Sequence, residues 1–112
     1  MVNKKYIPDQ GDIIYFNFSP SVGHEQRGVR PAIVVSRALF NQSSNLAVIC
    51  PITSKRKFYP FEIPIETGDI HGVILIDQAR AVDYVAREFK FISYAPTDLI
   101  EEVKAKFISI IS

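Results

Sequence analysis

The sequence predicts one small, mainly β domain: a strongly curved antiparallel sheet or barrel followed by a single C-terminal helix. Three observations carry this reading. Short runs of β-branched and aromatic residues recur at close spacing, separated by proline, glycine and asparagine. Helical periodicity stands out near the C-terminal end, where Leu99, Val103, Phe107 and Ile110 fall on one face. The chain has 112 residues, 47% of them hydrophobic, which suffices for one core without disulfide or metal staples. Residues 1–112 are therefore read as a single domain, with no repeat, linker or low-complexity segment.

Taken in order, residues 1–10 form a polar lead-in containing Pro8. Asp12-Ile13-Ile14-Tyr15-Phe16-Asn17-Phe18 alternates loosely and reads as a strand, closed by Ser19-Pro20. A polar, glycine-punctuated loop follows from Ser21 to Val29, then a β-branched strand from about Arg30 to Ser36. Pro31 holds the preceding Arg30 extended. Phe40-Asn41-Gln42-Ser43-Ser44-Asn45 reads as a turn cluster. Leu46 to Ile52 is a near-continuous apolar strand interrupted by Pro51 and ending at Thr53-Ser54. Lys55-Arg56-Lys57 is a basic run on the next loop. Phe61 to Ile65 alternates and contains Pro64, which argues for an edge strand or a strand end. Glu66-Thr67-Gly68-Asp69 is a turn. Gly72 to Asp77 is a buried strand that continues through Gln78-Ala79-Arg80-Ala81-Val82-Asp83 after a bulge, and Phe89 to Ser93 is a last short strand.

Pro96-Thr97 opens the helix, with Thr97 as N-cap and Asp98 favourable in the first turn. Glu102 and Lys106 stand at i,i+4 in the preferred order. The helix runs about four turns, and its apolar face, with Ile100 and Ile111 beside it, is expected to cover one side of the sheet.

Composition excludes several function classes. Thirteen basic and twelve acidic residues give a net charge of +1, so any basic surface must come from local clustering. The one cysteine, Cys50, lies in an apolar run and reads as a small buried hydrophobe rather than a catalytic thiol. His24 and His71 are far apart and lack neighbours at zinc spacing, so no metal site or cofactor is expected. No phosphate-cradling glycine loop and no nucleophile elbow is present. The lysines near the start precede no apolar segment, and no run approaches a membrane span, which points to a cytoplasmic protein without membrane contact.

Three polar clusters close apolar strands. They are Glu25, Gln26, Arg27 and Arg30; Thr53, Ser54, Lys55, Arg56 and Lys57; and Asp77, Gln78 and Arg80. Each alone is ordinary rim solvation. Together they supply guanidinium forks, a cationic run, a hydroxyl and carboxylates, a set suited to a polyanion such as RNA. Tyr59 and Phe58, interleaved with Lys57, add surfaces for base stacking, although Phe58 reads equally well as core.

The ordered set Gly11-Asp12-Ile13-Ile14, Gly23-His24-Glu25-Gln26, Arg30-Pro31-Ala32-Ile33-Val34, Pro51-Ile52-Thr53-Ser54, Tyr59-Pro60-Phe61 and Asp77-Gln78-Ala79-Arg80 closely resembles the MazF/PemK-type toxins of bacterial toxin–antitoxin systems. The match spans almost the whole chain. The opening Tyr6-Ile7-Pro8-Asp9-Gln10-Gly11-Asp12 looks like the enterobacterial MazF and ChpB members. The resemblance implies an SH3-like small barrel with a C-terminal helix, acting as a homodimer. It implies a metal-independent, sequence-specific endoribonuclease that cuts single-stranded mRNA. It also implies a MazE-like antitoxin whose disordered acidic C-terminal tail wraps the dimer, with DNA contact only as the toxin–antitoxin complex.

By that resemblance Arg30 and Thr53 match the family's catalytic arginine and threonine; Glu25 joins them as a candidate base, and Asp77 is the other available carboxylate. Gln26, Arg27, Ser54, Lys55, Arg56, Lys57, Tyr59, Asp77, Gln78 and Arg80 are the expected RNA-binding residues. One departure matters: where the PemK/Kid branch carries an arginine two residues before the aspartate of D-Q-x-R, this chain has Leu75. Arg80 is expected either to pair with Glu25 or Asp77 or to face RNA, and His24 either to contact RNA or to be solvated. His71, before Gly72, is read as a turn residue without function. Two alternatives stay open. A CcdB-like gyrase poison shares the barrel but acts through a tryptophan-bearing tail, and this chain has no tryptophan. An inert SH3-like binding module has no need to bring Arg30 and Thr53 together.

Overall fold

A β-rich chain with isoleucine as its commonest core residue builds an antiparallel sheet here. The computed structural model describes residues 6–18 and 28–112. Its elements are β1 (Asp12–Asn17), β2 (Val29–Val34), α1 (Ala38–Ser44), β3 (Leu46–Thr53), β4 (Glu62–Thr67), β5 (Ile70–Leu75), a single 3₁₀ turn (Ile76–Gln78), β6 (Arg80–Asp83), β7 (Lys90–Tyr94) and α2 (Thr97–Ile111). The strands follow the order β4-β5-β3-β2-β1-β7, with β6 also paired to β3, and every pairing is antiparallel. This is the expected half-barrel with a C-terminal helix. Pro64 sits in β4, at the edge of the sheet, where its missing N–H leaves no gap between strands.

Two buried clusters sandwich the sheet. Ile13, Ile33, Cys50, Ile52, Ile63 and Ile74 form one, and Val103, Leu99, Ile100 and Phe107 of α2 close over it. Ile14, Phe16, Ala32, Val34, Ala47 and Ile49 belong to the other, on the opposite face. Successive residues of a strand point to opposite faces, so β3 sends Ala47 and Ile49 into one core and Cys50 and Ile52 into the other. That explains its near-continuous apolar run. Each fully buried isoleucine stabilises the fold by about 1.5–3 kcal/mol.

Four expectations require correction. The cluster at 40–45 is not a bare turn but the helix α1, ended by Asn45. No apolar face holds it; its buried residue is Asn41. The Asn41 amide donates to the carbonyls of Pro8 (2.7 Å) and Ser36 (3.2 Å), and its oxygen accepts from the Ser36 hydroxyl. Its own carbonyl accepts from the Tyr84 hydroxyl (2.9 Å). The Asp9 carboxylate accepts from the Ala38 N–H at the helix start (2.9 Å), and Asn45 ends the helix in a left-handed conformation (φ 60°). Next, the strand expected over 72–77 starts earlier, at Ile70, and gives way to the 3₁₀ turn at Ile76. At α2 the N-cap is Pro96, so Thr97 is the first helical residue and caps nothing with its side chain. Finally, the ion pair on α2 joins Glu101 and Lys104 (3.3 Å) instead of Glu102 and Lys106, and Ile110 and Ile111 are exposed. Among the described residues no helix is long and apolar enough to cross a membrane.

Candidate active site

A proline weakens the β2–β3 pairing where the chemistry is expected. The β2–β3 ladder runs Val34–Ile49, Ile33–Cys50, Ala32–Pro51 and ends there. Pro31, on the side of β2 that bonds to β3, has no N–H to donate, so the two strands lose a ladder bond at this end. β3 then changes partner: Ile52 and Thr53 pair with Ile74 and Val73 of β5. Carrying the β2–β3 register two positions further sets Arg30 level with Thr53. By alternation both lie on the face of Ala32 and Ile49, at the mouth between the parting strands. Arg30 is half-buried on β2 opposite Phe16 of β1. Thr53 is 5% exposed, and its hydroxyl oxygen accepts from the Lys55 N–H (3.2 Å), leaving the hydroxyl proton to donate.

Thr53 lies in the wall of a cleft of about 560 Å³ shared with Lys55, Lys57, Tyr59, Asp77 and Gln78. Asp77 and Gln78 also border an adjoining hollow of about 430 Å³, formed with Phe18, Pro51 and Arg80. The second and third polar clusters therefore meet across one continuous depression. They meet because β3 hands over from β2 to β5, which delivers the end of β3 beside the 3₁₀ turn after β5.

A buried carboxylate shapes the loop after β3. Glu62, 7% exposed at the start of β4, accepts from the backbone N–H groups of Lys57 (2.8 Å) and Phe58 (2.9 Å). Phe58 adopts a left-handed conformation (φ 59°), which costs a non-glycine residue about 1–2 kcal/mol. Two charge-assisted hydrogen bonds are of the right size to hold it there. Its ring is 78% exposed, so Phe58 is not core, and the Arg56 guanidinium stacks 4.5 Å from the ring centre. Sequence reasoning missed Glu62, taking it for the polar partner in an alternating strand. A carboxylate placed just after a basic loop was the available signal.

Tyr59 crosses the cleft to donate its hydroxyl to the Asp77 carboxylate. Burial, with that hydrogen bond and the Asp77 charge, pushes the hydroxyl up to about 12, so it remains a donor at neutral pH. Asp77 is thus engaged by Tyr59 and forms no ion pair with Arg80 among the described residues. Leu75 also lines the cleft, so the position of the PemK-branch arginine is an apolar wall here. Ser54, Lys55, Arg56 and Lys57 are exposed. Glu25, Gln26, Arg27 and His24, with the Glu25–Arg80 pairing, lie outside the described residues.

The remaining candidates fall away from this depression. Burial, reinforced by the Asp77 charge, pushes the Cys50 thiol up to about 12, which leaves it unreactive at neutral pH. His71 lies within β5 and not in a turn; its Nδ1 is 3.2 Å from the Glu66 carboxylate, at the far end of the β4–β5 ladder from Glu62 and Leu75. Among the described residues no group of three or more His, Cys, Asp or Glu side chains gathers where a metal ion could sit. A larger hollow of about 650 Å³, lined by Tyr15, Asn17, Val29 and Arg87 among others, contains none of the expected site residues. Chemistry, not size, selects the smaller cleft: it collects the hydroxyl, the carboxylate and the cations.

Residues 9–111 match the family of PemK-like, MazF-like toxins of type II toxin–antitoxin systems. The chain belongs to that family. It is 38% identical over 103 residues to the endoribonuclease toxin MazF of Escherichia coli K12, covering 91% of this chain and 92% of that one. A crystal structure of MazF from Deinococcus radiodurans superposes with a TM-score of 0.88 at 40% identity, over 96% of this chain and 98% of that chain. A MazE–MazF crystal structure from the same organism gives 0.82 at 35% identity, over 96% and 98%. Membership of the PemK/MazF-type toxins disfavours the inert module.

Proposed function

We propose that this PemK/MazF-type toxin is a metal-independent, sequence-specific endoribonuclease that cleaves single-stranded mRNA and so stops translation and growth. What supports this reading is the cleft at the end of β3 that gathers the Thr53 hydroxyl with Lys55, Lys57, Tyr59 and Asp77. The related toxins named as endoribonucleases support it. RNA supplies its own nucleophile. The 2′-oxygen attacks the neighbouring phosphorus, the P–O2′ bond forms, and the P–O5′ bond breaks. The 2′-proton passes to a base, the leaving 5′-oxygen takes up a proton, and the products are a 2′,3′-cyclic phosphate and a 5′-hydroxyl.

Arg30 holds two phosphate oxygens with its guanidinium fork and balances the charge of the phosphorane-like transition state. A guanidinium is a poor base, so its part is to grip and neutralise. Thr53 donates its hydroxyl to the phosphate or the 2′-oxygen. Glu25 is the carboxylate left to act as base, because Asp77 already accepts from Tyr59. Lys55, Arg56 and Lys57 attract and track the RNA backbone, together with Gln26, Arg27 and Ser54. Tyr59, Asp77, Gln78 and Arg80 contact the nucleotides that enter the depression. No cofactor takes part. The toxin works in the cytoplasm as a homodimer, and a MazE-like antitoxin blocks the groove with its acidic C-terminal tail. DNA is contacted only through the toxin–antitoxin complex.

The deciding assay incubates purified protein with a long single-stranded RNA in EDTA and maps the new ends. Discrete cuts at one short motif, unchanged by the chelator, are expected. Intact RNA, or activity lost in EDTA and restored by a divalent ion, overturns the reading. Binding of a 2′-deoxy-blocked RNA carries a second expectation. Single-strand affinity falls with salt by a log–log slope of about 0.7 per contacted phosphate. Four cationic contacts therefore predict roughly 50-fold weaker binding for a fourfold rise in salt. A flat response removes Lys55, Arg56 and Lys57 from the interface.

A further inference from the structure

We propose that the stacked Arg56 and Phe58 side chains form an outer subsite for one unpaired RNA base, and that Glu62 is the positioning residue that holds this subsite beside the cleft. The inference rests on the endoribonuclease reading and adds to it a base-binding position outside the cleft.

The loop after β3 has two faces. Lys55, Lys57 and Tyr59 line the cleft, whereas Arg56 and Phe58 do not. The outward pair is a guanidinium 4.5 Å from the centre of an aromatic ring that remains 78% exposed. A phenylalanine in this position gains nothing from burial and occupies a left-handed backbone conformation better suited to glycine or asparagine. What retains that conformation is the buried Glu62 carboxylate, which accepts from both Lys57 and Phe58 N–H groups. Shape is therefore imposed on the loop from the protein interior, and its result is a presented π-surface. Arginine covers one side of the ring and leaves the other for a flat partner. A base of the strand that passes over Lys55 and Lys57 meets that requirement, because single-strand sites combine cationic tracks with aromatic platforms. The platform stands outside the cleft, so the base it takes flanks the nucleotides held there. Stacking reads little hydrogen-bond pattern, so the subsite adds affinity and favours the larger purine surface.

The test uses short RNAs that carry the mapped cleavage motif, with an abasic residue substituted in turn at each flanking position. Phe58→Ala is expected to raise KM roughly tenfold on intact RNA with kcat within about twofold. On the RNA abasic at one flanking position, wild type and Phe58→Ala are expected to behave alike. Phe58→Trp restores the low KM, and Phe58→Leu does not. Glu62→Gln raises KM on intact RNA to the level of Phe58→Ala and adds nothing when combined with it. A structural role for Glu62 alone would instead lower kcat on every substrate, and that result overturns the positioning assignment. Phe58→Ala with unchanged KM, or full rescue by Phe58→Leu, overturns the subsite. Wild-type protein that cuts no RNA overturns the endoribonuclease reading itself, an outcome distinct from a wild type that cuts while Phe58→Ala does not differ.

Discussion

Arg30→Ala is expected to lower RNA cleavage at least about a hundredfold while the protein keeps its fold. The magnitude follows from the loss of one preorganised charged donor at the developing negative charge, which costs about 10²–10³ in rate. The fold survives because β2 pairs residue 30 with Phe16 of β1 through the backbone, and alanine leaves that ladder intact. Arg30 is half-buried at a strand end and not part of either core cluster. A substitution of this kind lies within about 1 kcal/mol in stability. Arg30→Lys separates two contributions, since it keeps the charge and loses the planar fork; an activity between wild type and alanine is expected. Single-turnover cleavage and thermal melting, measured on the same preparations, give both halves of the result. A folded Arg30→Ala protein that cuts RNA within a fewfold of wild type would remove Arg30 from the mechanism. The same variant should also flatten the salt dependence of binding by about 0.7 in log–log slope.

The strands and α2 were legible because their signals are local. A β-branched run such as Val73-Ile74-Leu75, or the spacing of Leu99, Val103 and Phe107, reports its own environment. α1 was not legible, because it has no apolar periodicity and its one buried residue, Asn41, is anchored in part by distant segments. Asparagine and serine favour turns by bonding to nearby backbone, yet here Asn41 reaches Pro8, thirty-three residues away in sequence, and the tertiary bond overrides the local preference. The site was legible in pieces for the same reason. Polar residues that close apolar strands mark strand ends facing solvent, and so Thr53, Lys55 and Asp77 could be picked out singly. Their meeting depends on β3 leaving β2 for β5 after Pro51, a pairing of residues some twenty positions apart that no window reveals. Of the alternatives open for Arg80, an ion pair with Asp77 is not formed among the described residues; Tyr59, held by the turn before β4, reaches Asp77. Glu62 was marked only by its place just after a basic loop, because its partners are the backbone N–H groups of Lys57 and Phe58, whose positions the side-chain pattern does not report.

Gly72→Ala is expected to destabilise the protein by about 2–4 kcal/mol and to impair cleavage in whatever remains folded. A Cβ at position 72 would fall 2.2 Å from the Thr53 carbonyl oxygen, 2.8 Å from its carbon and 3.2 Å from the Ser54 Cα. All three are backbone atoms, so no side chain can swing aside. Relief requires β5 to move away from β3, and the first bonds to suffer are those of the Thr53–Val73 and Ile52–Ile74 pairs. That movement displaces Thr53 from the Arg30 strand end, which couples a methyl group on a neighbouring strand to the chemistry. For a domain of this size the stability loss corresponds to a melting temperature lower by roughly 10 °C or more. Gly68→Ala is the control. Gly68 has φ 55° in the turn between β4 and β5, and a Cβ there meets nothing within 4 Å. Its cost is backbone strain alone, about 1 kcal/mol, at the end of the ladder remote from Thr53. Melting and single-turnover cleavage of both variants decide the matter. Gly72→Ala should fall well below Gly68→Ala in both measurements. Equal effects would mean that β5 does not press on Thr53, and that the handover of β3 to β5 is not what positions the hydroxyl.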